Sequence, residues 1–133
     1  LQLRFNKKVL VVAPPERQES FKMQEMPLLN QRGINNVDLS EQLVINPDYD
    51  LVIFCLSESK VMLSSLDNMI KHQKSQTTKT PIIVYTYGNN SVQKTDELNS
   101  YAMHTLATTP LTLAVWTFNI LASIARKDGE INR

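Results

Sequence analysis

The chain has 133 residues and a mass of 15.2 kDa, the size of one domain and enough to bury a core without disulfides. Apolar residues make up 42% and charged residues 20%, which argues against a disordered chain, and no apolar run approaches the roughly 18 residues of a spanning helix, so no membrane insertion is expected. Fourteen Lys and Arg against thirteen Asp and Glu leave a net charge of +1 with no basic block, too balanced for a strong nucleic-acid field, and no nucleic-acid partner is expected.

A single cysteine, Cys55, makes neither an internal disulfide nor a cysteine-rich zinc site, and no signal-peptide pattern opens the chain. The expected compartment is therefore the reducing cytoplasm. The first residue is Leu1 rather than Met, which reads as a fragment or a processed end, and the polar stretch 127–133 suits a linker. The expected organisation is one domain over 1–127 followed by the start of a linker to a further region over 128–133.

Short β-branched runs alternate with longer segments of helical period, which argues for βα units around a parallel sheet. Lys8-Val9-Leu10-Val11-Val12 reads as a first strand buried on both faces, stopped by Ala13-Pro14-Pro15, and a helix is expected from about Glu16. That helix carries Phe21 and Met23, is bent or ended by Pro27, and is closed by Gly33. Val37 and Leu39 alternate with polar residues as in a short edge strand, and Ser40 is placed to cap a brief helix that Pro47 ends. The strongest strand is 49–56, apolar almost throughout, and it belongs at the sheet centre.

After Ser57, a candidate cap, Val61, Met62, Leu66, Met69 and Ile70 recur at helical spacing before a polar loop over 73–79. Residues 80–86 read as the fourth strand, 87–90 as a turn, 91–100 as a loosely held polar helix and 102–107 as a weak fifth strand. Pro110 opens a last helix to about Arg126, with Leu111, Ala114, Val115, Phe118, Leu121, Ala122 and Ala125 able to face the sheet. Its opposite side carries Leu113, Trp116, Ile120 and Ile124 where charges are usual. A helix apolar all round has a second partner, either within the chain or outside it, and an intermolecular surface is the preferred reading.

This order of elements resembles the receiver domain of bacterial response regulators. The carrying residues are Lys8 to Val12, Pro47-Asp48-Tyr49-Asp50-Leu51-Val52-Ile53-Phe54-Cys55-Leu56, Thr80-Pro81-Ile82-Ile83-Val84-Tyr85-Thr86, and Thr109-Pro110 before the last helix. The resemblance implies an α/β, flavodoxin-like, doubly wound five-stranded parallel sheet with helices on both faces. The family's working positions fall on Pro14, where receivers have metal-binding acids, on Cys55 for the phosphoacceptor aspartate, on Thr86 for the switch hydroxyl and on Thr109 for the lysine that pairs the phosphoryl group. Only the hydroxyl position survives. A thiol does not reproduce the chemistry of a magnesium-bound carboxylate, and a threonine supplies no positive charge. Thr109-Pro110 also matches a place where the family often has a cis bond, and Tyr87 and Tyr101 lie near the region where receivers swing an aromatic side chain.

Other chemistry finds little support. His72 and His104 have no partner at ligand spacing, the three glycines at 33, 88 and 129 form no phosphate loop, and Ser57-Glu58-Ser59-Lys60 reads as a helix start, so neither a cofactor nor a metal is expected. The resemblance implies a non-enzymatic pseudoreceiver that acts as an interaction, dimerisation or targeting module of a larger bacterial protein, the leading parent being a tight-adherence pilus-localisation ATPase. Its interaction surface is expected at Leu113, Trp116, Ile120 and Ile124, with a second copy as the main partner. The alternatives are a receiver switched by phosphate or a small ligand in the degenerate cleft, and redox control through Cys55.

Overall fold

The computed structural model describes residues 6–41, 49–55, 80–85, 104–107 and 109–127. The short helix expected after Ser40, the helix after Ser57, the loop 73–79, the turn 87–90, the helix 91–100 and the linker 128–133 lie outside the described residues, as does the segment 1–5.

The strands form where the sequence is continuously apolar. They are β1 (Val9–Val12), β2 (Val37–Ser40), β3 (Leu51–Cys55), β4 (Ile82–Tyr85) and β5 (His104–Ala107). All four neighbouring pairs are parallel and the sheet order is β2-β1-β3-β4-β5, the order of flavodoxin-like doubly wound sheets. Every residue of β1, β3 and β4 is buried, as uninterrupted Val, Ile, Leu and Phe runs require of strands with no solvent face. β2 lies at an edge, with Asp38 exposed and Val37 and Leu39 half-buried. The expected edge strand and central strand are both present, and the weak fifth strand is real.

Register sorts the side chains. Val9 pairs with Leu51, Val11 with Ile53, Ile53 with Ile83, Cys55 with Tyr85 and Tyr85 with Ala107, so these residues share one face and form one core cluster. Leu10, Val12, Val52, Phe54, Ile82 and Val84 occupy the other face and are buried as well. Two bonds fasten the start of β3 to β1: the Lys8 amide donates to Asp50 Oδ2 at 2.9 Å and the Asp50 amide donates to the Lys8 carbonyl at 2.9 Å. The Tyr49 hydroxyl donates to Asp38 Oδ2 at 2.8 Å, which adds β2 to this corner.

Helix α1 (Pro15–Gln24) starts one residue before the expected Glu16. Proline at the first position loses nothing, because that amide has no helical partner, and the Arg17 and Gln18 amides donate to the Pro14 carbonyl. Gln18 Nε2 donates to the Ala13 carbonyl at 2.8 Å. The helix is polar and buries only Phe21. It breaks at Glu25 and resumes as α2 (Met26–Gln31), whose Pro27 has no amide to offer the carbonyl four residues earlier.

The end of α2 is a Schellman closure. The Ile34 amide donates to the Leu29 carbonyl at 3.0 Å and the Gly33 amide to the Asn30 carbonyl at 3.1 Å, with Gly33 at φ 82°. Leu29 and Ile34 both enter the core, so the closure turns the chain toward β2.

Helix α3 (Pro110–Lys127) packs on β4, β5 and α2. The Thr112 amide donates to Thr109 Oγ1 at 3.1 Å and the Leu113 amide to the Thr109 carbonyl at 2.9 Å, so Thr109 caps the helix. Its bond to Pro110 is trans, whereas receivers often have a cis bond at this place. The helix is also rotated from the expected phase. Its buried residues are Leu113, Ala114, Thr117, Leu121, Ala122 and Ala125, while Leu111 is 58% exposed and Val115 42%. Thr117 makes that rotation possible, because its hydroxyl donates to the Leu113 carbonyl at 2.7 Å and so can be buried without losing a partner. Among the described residues, no helix is long and apolar enough to cross a membrane.

Gly33→Ala puts a Cβ at a left-handed position. The expected loss is about 1–2 kcal/mol of unfolding free energy in urea titration, and an unchanged midpoint would show that the closure does not hold α2 in place.

Candidate functional site

The chain leaves β1 toward β2 on one side and returns as β3 on the other, so the carboxyl ends of β1 and β3 flank the switch point where sheets of this order bind ligands. Pro14 lies here, two residues past β1, in extended conformation and without a carboxylate. The Ala13 amide before it donates to the Ser40 carbonyl at 2.9 Å, and its carbonyl accepts from Gln18. Cys55, the last residue of β3, is buried and belongs to the core cluster. Among the described residues, no group of three or more His, Cys, Asp or Glu is placed to hold a metal ion.

Thr109 stands just before α3, where the resemblance puts the lysine. Its hydroxyl is engaged with the Thr112 amide and lies 2.7 Å from the Thr112 hydroxyl, so it serves the helix start. Thr86, Tyr87, Tyr101 and His72 lie outside the described residues. The structure therefore brings Pro14 and Cys55 to the same end of the sheet, with Thr109 leading out of β5, and gives Cys55 and Thr109 structural work.

The expected interaction surface changes composition. Leu113 is 0% exposed and belongs to the core, because the rotation of α3 turns it onto the sheet, so it is not an exposed anchor. Ile120 and Ile124 are half-buried and pack against that core. Trp116 is 42% exposed and is joined on the outer side by Leu111 and Val115, two residues expected to face inward. The outward stripe is thus Leu111, Val115 and Trp116, one helical turn in length.

A buried polar pair lies deeper. Phe21, Glu25 and Leu29 follow one another at spacings of four, which puts all three on the inward side of the broken helix. Glu25 is 1% exposed and accepts a hydrogen bond from the Tyr85 hydroxyl at 2.9 Å through Oε1. Its Oε2 is buried and has no hydrogen-bond partner among the described residues. Burial pushes the Glu25 carboxyl above its ordinary value; the Tyr85 bond, its own backbone amide and the positive charge of Arg17 oppose that shift in decreasing order. Tyr85 is driven strongly upward, first by burial, then by the Glu25 hydrogen bond and charge and by Cys55, so it stays a neutral donor.

Sequence reading passed over this pair. Glu25 looks like one more charge on a polar helix, and Tyr85 like the aromatic end of an apolar strand. The available signal was spacing, because a residue four from both Phe21 and Leu29 points where they point.

Tyr85→Phe removes one hydroxyl and strands Glu25 Oε1. The expected cost is about 1–3 kcal/mol in chemical denaturation, and an unchanged stability would show that the bond contributes nothing net. Cys55 should resist a thiol reagent in the native protein and react at the rate of unfolding; rapid native labelling would contradict its burial. The chain matches no family model, no curated protein and no solved structure.

Proposed function

We propose that the chain is a receiver-like α/β interaction module that associates with a second copy of itself through α3 and performs no phosphoryl transfer. The observation that carries this reading is the exposed stripe of Leu111, Val115 and Trp116 on a helix whose other side is docked in the core. α3 carries no charged residue before Arg126, so the stripe offers apolar surface without a charge to desolvate. A stripe on one helix can meet its own copy across a two-fold axis, and a net charge of +1 imposes little repulsion between copies. Tryptophan is the residue type that most often anchors such contacts.

The receiver component draws support from the strand order and from the positions of Pro14, Cys55 and Thr109 near the carboxyl ends of the strands. The residues at these positions favour loss of the phosphorylation chemistry. Following the resemblance, the module targets or pairs a larger bacterial protein of the pilus-localisation ATPase type.

Light scattering across a concentration series, with and without magnesium and a phosphoryl analogue, tests the reading. A dimer indifferent to the analogue is expected, and Trp116→Ala should weaken association by about 30-fold, the effect of an anchor worth roughly 2 kcal/mol. A monomer at every concentration, or a Trp116→Ala variant that associates like the parent, would overturn the self-association. A dimer that forms only with the analogue would replace it with a switched receiver.

A further inference from the structure

The exposed line of α3 changes character along its length. Leu111, Val115 and Trp116 supply its apolar part, Asn119 and Ser123 follow as exposed uncharged residues, and Arg126 and Lys127 close it with two positive charges. Thr112 is three and four residues before Val115 and Trp116, so it lies on the same side of the helix. Its hydroxyl is 2.7 Å from that of Thr109, so the polar atom at this position is already engaged at the helix start. The apolar area therefore sits at the start of α3, centred between positions 113 and 114, and the charge sits in its last turn. Nothing among the described residues forms an ion pair with Arg126 or Lys127.

We propose that two copies pair their α3 helices antiparallel across a two-fold axis at that centre, with Trp116 of each copy set against Leu111 of the other and Val115 against Thr112. This orientation rests on self-association through α3 and adds the geometry of the pair. Helices aligned in the same direction would lay each exposed residue beside its own copy. The polar Asn119 and Ser123 would then enter the contact, and the two basic ends would lie roughly 10 Å apart, the distance between packed helix axes. That is close to the Debye length of about 8 Å at physiological salt, so the repulsion is only partly screened.

The antiparallel pair avoids both costs. About its centre, Thr117 of one copy comes level with Pro110 of the other, so Asn119, Ser123 and the two cations extend past the start of the partner helix. At a rise of 1.5 Å per residue the two Arg126 positions are then about 35 Å apart or more, several Debye lengths. The helix dipoles also oppose one another instead of adding. At each level a larger side chain meets a smaller one, indole against leucine and valine against threonine, where the parallel arrangement would stack indole on indole.

Ser123→Cys carrying a nitroxide label reads the orientation, because Ser123 is exposed outside the apolar area and the native cysteine is buried. Electron spin distance measurements, at concentrations where light scattering shows a dimer, should give about 30 Å, the axial separation expected for antiparallel helices centred at 113–114. Trp116→Ala should remove that distance as the dimer dissociates, and Arg126→Glu should leave the dissociation constant within about twofold, because no charge faces it across the pair. A dimer with a label distance below about 20 Å, or one that Arg126→Glu tightens several-fold, would overturn the antiparallel orientation and leave the self-association standing. A dimer with a distance beyond about 45 Å, or one that survives Trp116→Ala, would move the contact off the start of α3 and overturn both. A monomer at every concentration would overturn both as well.

Discussion

Three adjacent strands with no solvent-facing side dictate the rest of the molecule. Once β1, β3 and β4 are apolar at every residue, their backbones must pair along both edges and their side chains must be covered above and below. β2 and β5 take the edges, where shorter or less apolar strands suffice. On the face that carries Val9, Ile53 and Tyr85, the cover comes from α3 and from the inward stripe of α1 and α2. That stripe is too polar to seal the face with hydrocarbon alone. Tyr85 resolves the mismatch by reaching from the sheet to meet Glu25, so the position that would otherwise be a buried bare charge becomes a hydrogen-bonded contact between the layers.

The two helical units on this face are held in different ways. α3 is fastened by a Thr109 cap and six buried residues, so its outward stripe is held on a firm support. The α1–α2 unit is fastened by Phe21, Leu29, the Glu25 contact and the Gly33 closure, with a proline in its middle. A rigid helix suits a surface meant to meet another surface, because little order is lost on contact. α2 packs on α3, so the two units brace one another.

The sheet was legible in the sequence because continuous apolar runs of four to five residues bounded by proline have few other uses, and the stop at Gly33 was legible because so few residues accept its backbone angle. The phase of α3 was not. Apolar residues occupy nearly its whole circumference, so periodicity could not choose a side, and the choice fell to Thr117, whose hydroxyl finds a carbonyl within its own helix. The positions carried by the receiver resemblance were placed near the ends of their strands, yet their chemistry was not readable from position: Thr109 is occupied by its helix and Cys55 by the core. Glu25 escaped because charge is normally a sign of solvent. Its inward aim depends on helix geometry that persists across a break the sequence seemed to place at Pro27.

The paired bonds between Lys8 and Asp50 have a consequence for how the chain finds this arrangement. In a strand, a shift of one residue exchanges the two faces, and β3 is so uniformly apolar that hydrophobicity alone would tolerate the exchange. A shifted β3 would present Phe54 in place of Cys55 beside Tyr85. The carboxylate of Asp50 recognises one backbone amide, that of Lys8, and the adjacent amide returns the contact, so the correct alignment is the one that satisfies both. This polar corner at the open end of two greasy strands acts as an address label: it spends two hydrogen bonds on choosing among alignments that the core itself cannot tell apart.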